Sequence, residues 1–429
     1  VSGNGMYSLL YAAWSRDLEY QAFYRSLPQE EAYERTRRLL QEKGARWGAD
    51  PDSIQRSIPG RRSGPRNLVL ILVESFGSEF WGSLGASPGW TPRMDEWSRK
   101  GLLFTNLYAT GNRTVRGLEG VLASFPPLPG DSIVKRRLSD RVSTLARTLG
   151  GRGHETLFLY GGRGLFDGMR SFALRNGYGR FIEQKDFDDP VFATVWGVCD
   201  EDLLDRALSE ARALHGRGKP FFATVLTVSN HKPYTYPKGR IPEDPDLQAR
   251  PHAVKYTDHA IGRFLDQASK EDFFKDTLFA VVADHGARVY GKEDIPIHSY
   301  EIPMLVIDPR VPGGRRVSTL GSSIDVGPTL LAMLGPGYES VFFGRDLLSI
   351  APKTAFAPMH HNRDIGMLRE GRLVVLGLNK TAGFYSLDPE TRLLSPAPKG
   401  EGDEELEKDA AALFQTADEL YTRQRYAVK

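Results

Sequence analysis

Short, continuously apolar runs recur through the middle of this chain. "NLVLILVES" opens at Asn67, and "ETLFLYGG" (155–162), "PFFATVLTVS" (220–229), "TLFAVVADHG" (277–286) and "IPMLVID" (302–308) come after it. Runs of this length and composition mark strands buried on both faces of a sheet. "GLLFTNLYAT" (101–110) reads as a further strand. Helical stretches are expected at 115–124, 139–150, 200–214, 252–270 and 325–334. This alternation predicts an α/β fold with a central mostly parallel sheet flanked by helices.

The flanks have a different texture. "SLPQEEAYERTRRLLQEKG" predicts a helix with Ser26 as N-cap, Gln29 three residues on, Pro28 in the first turn and Gly44 as the stop. Residues 51–66, rich in Pro, Gly, Ser and Arg, read as a linker. Residues 1–66 are therefore expected to form an arm leading into a main domain at 67–350. Beyond 350, "GRLVVLGLN" and "TAGFYSLDP" predict a hairpin or smaller C-terminal antiparallel sheet. "EGDEELEKDAAALFQTADELYTRQRY" predicts a final amphipathic helix, so 351–429 is expected to pack on the main domain as a small sheet plus helix.

Composition narrows the function classes. A length of 429 residues suits two domains, or one large domain with an appendage. The net charge of +2, with no local basic stripe, argues against nucleic acid as a partner. Cys199 is the single cysteine, so no intramolecular disulfide and no cysteine-based zinc site can form. No run approaches the roughly 18–20 apolar residues of a membrane span. The chain begins at Val1 and reads as a piece of a longer protein.

In open α/β sheets, ligands bind beyond the carboxyl ends of the strands. Glu74 and Ser75 follow the first buried run, "GNRTVRG" (111–117) follows the second, Asn230 and His231 follow 220–229, and Asp284 and His285 follow "LFAVVA". An acid and a neutral imidazole side by side at a strand end are good ligands for a divalent cation. Thr114 would stand at a helix N-terminus, where free N–H groups and the dipole favour an anion, with Arg113 and Arg116 adding charge. A threonine hydroxyl becomes a nucleophile when a metal or a base activates it. Gly111 and Gly117 would leave room for a phosphate. Each residue also has a plainer reading: a helix cap for Glu74 or Thr114, and turn-forming loops for Asn230-His231 and Asp284-His285.

Taken together, "NLVLILVESFGSEFWGSLG", "TPRMDEWSRKGLLFTNLYATGNRTVRGLEGVLASFPPLPG", "SNHKPY" and "VVADHGAR" resemble the extracellular domain of lipoteichoic-acid-synthase-like phosphoglycerol transferases, in the alkaline phosphatase and sulfatase superfamily. "IDVGPTLLAMLG" and "FGRDLL" are later landmarks, and the opening "SGNGMYSLLYAA" is similar to the segment after the last membrane helix of Gram-negative members. The resemblance implies an alkaline-phosphatase/sulfatase-like sheet with a smaller C-terminal sheet. It implies one divalent metal ion, Mn2+ in preference to Zn2+ or Mg2+, on Glu74, Thr114, Asp284 and His285, with Thr114 also the nucleophile. His231 matches a histidine that contacts substrate or leaving group. The catalytic domain is expected on the periplasmic or outer face of the cytoplasmic membrane, held by N-terminal membrane helices missing from this chain.

One departure concerns the head group. Lipoteichoic acid synthases grip glycerol phosphate with a Trp and an Arg two residues apart, and the corresponding places in "GGRGLFDGMRSF" hold Phe166 and Gly168. Arg163 or Arg170 is a candidate to compensate, and His298 is a further candidate substrate contact. The expected reaction moves phosphoglycerol from phosphatidylglycerol, through a phosphothreonine, to a glycan or polyol such as a periplasmic glucan. Alternatives are a phosphoethanolamine transferase, a phosphodiesterase or sulfatase-like hydrolase, and a non-catalytic binding domain that kept the fold. A sulfatase needs a Cys or Ser converted to formylglycine, which Thr114 cannot become.

Overall fold

The computed structural model describes residues 19–61, 64–287 and 293–428. The segment "SGNGMYSLLYAA" lies outside the described residues, as does Arg288 of "VVADHGAR". The main sheet is built from β1 (Asn67–Val73), β2 (Leu102–Tyr108), β3 (Glu155–Tyr160), β4 (Arg180–Ile182), β5 (Phe221–Leu226), β6 (Thr277–Ala283), β7 (Glu301–Ile307), β8 (Arg315–Val317) and β9 (Gly321–Ser322). Its spatial order is β8-β2-β7-β6-β1-β5-β3-β4, with β9 beside the end of β2. β7 runs antiparallel to both neighbours, and the other pairings are parallel.

The apolar runs explain this order. β1 and β6 are buried at all seven positions and lie side by side at the centre of the sheet. Seven helices frame the site and the arm: α1 (Gln29–Leu39), α2 (Pro92–Ser98), α3 (Thr114–Ala123), α4 (Asp200–Gly216), α5 (Arg250–Ala268), α6 (Ser323–Leu334) and α7 (Asp403–Thr422). α3 packs with α6, and α5 packs with both α4 and α2. Because β1, β2, β5 and β6 point the same way, the segments just past them emerge on one rim.

The C-terminal part is a five-stranded antiparallel meander, β10 (Ala357–His361), β11 (Asp364–Arg369), β12 (Arg372–Gly377), β13 (Thr381–Leu387) and β14 (Leu394–Pro396). The last helix, α7, packs on this sheet and on α1. Thr36 and Thr416 share a buried hydroxyl bond of 3.0 Å across the α1–α7 contact. Arg35 of α1 reaches Glu405 at 2.9 Å and Asp409 at 3.0 Å of α7.

Three local expectations change. The helix expected from Ser26 to Gly44 spans only Gln29–Leu39, with Pro28 at the N-cap. The helix expected over 139–150 begins at Leu145, because the Thr144 hydroxyl caps it by accepting the Arg147 N–H at 3.1 Å. The stretch read as a linker contains the strand Arg56–Ile58, which pairs with Arg46–Trp47 and with Tyr338–Ser340. Arg56 is fully buried there and donates to the Phe342 and Gly344 carbonyls at 2.9 and 3.1 Å and to Glu42 at 3.2 Å. A side chain this committed holds the arm against residues 342–344. Replacing it by an apolar side chain leaves Glu42 as a buried unpaired charge. Arg56→Met is expected to lower unfolding stability by about 3 kcal/mol, measured by urea denaturation.

Candidate active site

The in-register pairing of β1 with β6 sets Val73 opposite Ala283, so Glu74 and Asp284 leave the sheet side by side. Both are buried. Glu74 is anchored at its backbone: its N–H donates to the Thr227 hydroxyl at 3.0 Å and its carbonyl accepts from Asn230 Nδ2 at 2.9 Å. Ser75 takes a left-handed backbone, φ 52°, which costs an L-residue about 1–2 kcal/mol. That conformation aims the Ser75 N–H at Asp284 Oδ1 (2.9 Å) and its hydroxyl at Glu74 Oε1 (2.6 Å).

His285 completes the group. Its Nδ1 lies 2.8 Å from the Gly286 carbonyl. A carbonyl only accepts, so Nδ1 carries the proton and Nε2 presents a lone pair. Nε2 is 3.6 Å from both Glu74 Oε1 and Asp284 Oδ2. One ligand atom from each of Glu74, Asp284 and His285 lies within 4.8 Å of the others. Asp284 Oδ2 is buried and has no hydrogen-bond partner. A buried carboxylate oxygen without a partner is costly unless a cation takes it. This oxygen-and-imidazole set therefore fits a divalent transition metal such as Mn2+ or Zn2+.

Thr114 is the first residue of α3, and its hydroxyl donates to Glu74 Oε2 at 3.0 Å. Arg113, at the N-cap, makes no side-chain cap, so the first-turn N–H groups are not closed off by it. His231 approaches the same carboxylate, with Nε2 3.4 Å from Glu74 Oε2. The loop that carries Asn230 and His231 is tied down by Asp200, whose carboxylate accepts from the N–H groups of Val228 and Ser229 (3.0 and 3.1 Å) and from Thr257 (2.6 Å).

The two carboxylates titrate far apart. Burial raises Glu74, but the His231 side chain and the Ser75 and Thr114 hydroxyls outweigh it and hold Glu74 below the usual carboxylate range. Burial and the neighbouring Glu74 charge push Asp284 well above the usual carboxylate range.

The other predicted residues fall elsewhere. Arg116 is buried; it pairs with Glu119 at 2.6 Å and donates to the Leu128 and Gly130 carbonyls, so it braces α3 rather than facing Thr114. Gly111 makes room for the Arg116 side chain, not for a phosphate. At Gly117 an added methyl would lie 2.5 Å from the Asp284 carbonyl oxygen and 2.8 Å from its Cα and Cβ. The space at Gly117 belongs to Asp284. Arg113 is exposed beside Thr114. Arg170 is held by Glu183, and Arg163 rests on Gln184 at 3.2 Å. His298 lines a polar cavity of about 600 Å³ with Glu79, Glu301, Arg316 and Arg392, and none of Glu74, Thr114, Asp284 or His285 lines it.

Phe166 does meet the site, through a residue the sequence did not single out. Trp196 stacks on His231, ring centroids 4.1 Å apart and planes 20° apart, and Phe166 stands edge-on to Trp196 at 5.9 Å. No spacing rule links positions 166, 196 and 231, so only the fold brings the three rings together.

Residues 66–336 match the model of the Sulfatase family. A crystal structure of a protein in the alkaline phosphatase superfamily from Vibrio parahaemolyticus is 36% identical, with a TM-score of 0.89 over 95% of this chain and 100% of that one. Such a match sets the class: an α/β protein of the alkaline phosphatase superfamily. The chain belongs to the sulfatase family. The lipoteichoic acid synthase LtaP of Listeria monocytogenes shares the fold, with 18% identity and a TM-score of 0.71 over 92% of this chain and 98% of that one. Among curated proteins, phosphoglycerol transferase I of Xanthomonas campestris pv. campestris is 27% identical over 306 residues, 66% of this chain. The chain spans 43% of that relative's length.

The paired acids have two measurable consequences. Cation binding must displace the Asp284 proton, so apparent affinity for Mn2+ is expected to rise about tenfold per pH unit below the raised Asp284 pKa. Calorimetry in buffers of different ionisation enthalpy should show release of about one proton per ion. Gly117→Ala is expected to displace Asp284 and weaken Mn2+ binding by at least roughly tenfold, with an unchanged circular dichroism spectrum.

Proposed function

We propose that this chain is the catalytic part of a metal-dependent phosphotransferase that moves phosphoglycerol from phosphatidylglycerol to a glycan or polyol hydroxyl through Thr114. The observation that carries this reading is the Thr114 hydroxyl, presented by a helix N-terminus to a carboxylate that belongs to a buried Glu-Asp-His group. Glu74, Asp284 and His285 would hold a divalent ion, Mn2+ by preference, which would supply Lewis-acid chemistry beside Thr114. The Thr114 oxygen forms a bond to phosphorus as its proton passes along its hydrogen bond to Glu74 Oε2, and the bond to the diacylglycerol oxygen breaks. His231, stacked on Trp196 and within reach of the same carboxylate, donates the proton that the leaving oxygen needs. The α3 N–H groups and exposed Arg113 face the phosphoryl oxygens. An acceptor hydroxyl then displaces Thr114 from phosphorus; its proton restores His231, and the Thr114 oxygen takes its own proton back from Glu74 Oε2. With water as acceptor, the same steps make a phosphodiesterase.

The name of the Xanthomonas relative supports this head group. A phospholipid donor and a periplasmic glucan acceptor would put the domain on the outer face of the cytoplasmic membrane. No helix among the described residues is long and apolar enough to cross a membrane. Mass spectrometry after incubation with Mn2+ and phosphatidylglycerol is expected to show a phosphoglycerol adduct on Thr114, and Thr114→Ala to show none. Adduct formation only from phosphatidylethanolamine would replace the head-group assignment, and an adduct on another residue would refute the nucleophile.

A further inference from the structure

Large apolar side chains are exposed beside His231. Leu165 is 76% exposed, Phe166 48% and Val195 83%. They lie on two segments that touch: Phe166 meets Trp196 edge-on, Leu165 precedes Phe166, and Val195 and Trp196 are the two tip residues of the hairpin joining Ala193–Thr194 to Gly197–Val198. Folding alone gives no reason to hold Val195 in water at a hairpin tip. Soluble surfaces carry scattered apolar residues, whereas a contiguous exposed group marks a contact site.

The ridge is rigidly mounted. Gly197 has φ 143°, and an added methyl there would lie 2.0 Å from the Gly161 carbonyl oxygen, so the hairpin is pressed onto the end of β3. The Val198 N–H donates to that carbonyl at 2.9 Å, and Trp196 Nε1 donates to the Lys232 carbonyl at 2.6 Å. Two exposed cations adjoin these residues: Arg163 lies two positions before Leu165, and Lys232 is the residue whose carbonyl Trp196 binds. Asp167, the acid inside this stretch, is engaged by Lys135 at 3.3 Å. Aliphatic tips, an indole behind them and a cationic border are what an anionic phospholipid surface accepts at its headgroup level.

We propose that Leu165, Phe166, Val195 and Trp196 form a lipid-contacting ridge that seats the domain on an anionic bilayer with His231 and Thr114 facing the headgroups. This inference rests on the phospholipid-donor reading above. Its test is separable from that reading, because it needs neither metal nor turnover. The protein in EDTA is expected to co-sediment with phosphatidylglycerol/phosphatidylcholine vesicles. Leu165→Asp and Val195→Asp are each expected to lower the partition coefficient by roughly tenfold, and phosphatidylcholine vesicles alone to bind weakly. Both variants are expected to form the Thr114 adduct from a short-chain, water-soluble phosphatidylglycerol as the parent does. Vesicle binding that is absent in the parent, or unaltered in both variants, overturns the proposal. Variants that change only the oligomeric state overturn it in favour of a self-association face. Loss of the adduct in the parent, with ridge-dependent vesicle binding intact, refutes the donor chemistry and leaves the ridge standing.

Discussion

Two buried carboxylates held side by side are the constraint on which the rest of the site depends. Glu74 and Asp284 end adjacent parallel strands paired in register, so neither can move away without unzipping the middle of the sheet. Their mutual repulsion and burial are relieved by one proton on Asp284 or by a cation. The surroundings conform to that pair. Ser75 accepts a strained backbone to satisfy one oxygen of each acid, and α3 carries glycine where its first turn passes Asp284. Thr114 is placed by the same packing, because Gly117 and Thr114 lie on one turn of α3.

Around this polar centre the rim divides by chemistry. On the side of β3 and β5 it is aromatic and aliphatic, with Trp196 stacked on His231. On the side of β2 and β7 it is the polar cavity that holds His298, Glu301, Arg316 and Arg392. The C-terminal sheet contributes to the polar side through Arg392, which bonds Glu301 at 2.8 Å. It is therefore part of the wall of the cavity as well as a partner for α7.

The centre of the site was legible in the sequence because it is delivered by strands. Continuous apolar runs located β1 and β6, and the polar residues just past them had to emerge at the rim whatever the loops did. Glu74, Thr114, Asp284, His285 and His231, each singled out by its place past such a run, lie together in the structure. Arg116 and Gly117 were misread for one reason: a helix start shows which residues are present, not which way each side chain turns. Arg116 lies two residues beyond Thr114 and faces inward to Glu119. The expected helix over 139–150 lost its first half to a threonine cap, a local competition that periodicity does not register.

The six long strands of the main sheet, its mostly parallel sense and the residue types at its rim followed from the order of apolar runs, whereas the short strands β4, β8 and β9 carry no such run. Tertiary structure decided everything that depends on contacts distant in the chain. It made a buried strap of the supposed linker through Arg56, and it joined α1 to α7. It also brought Phe166, Trp196 and His231, from three separate segments, into one aromatic cluster. Those contacts arise from packing geometry in three dimensions, and no spacing along the chain encodes them.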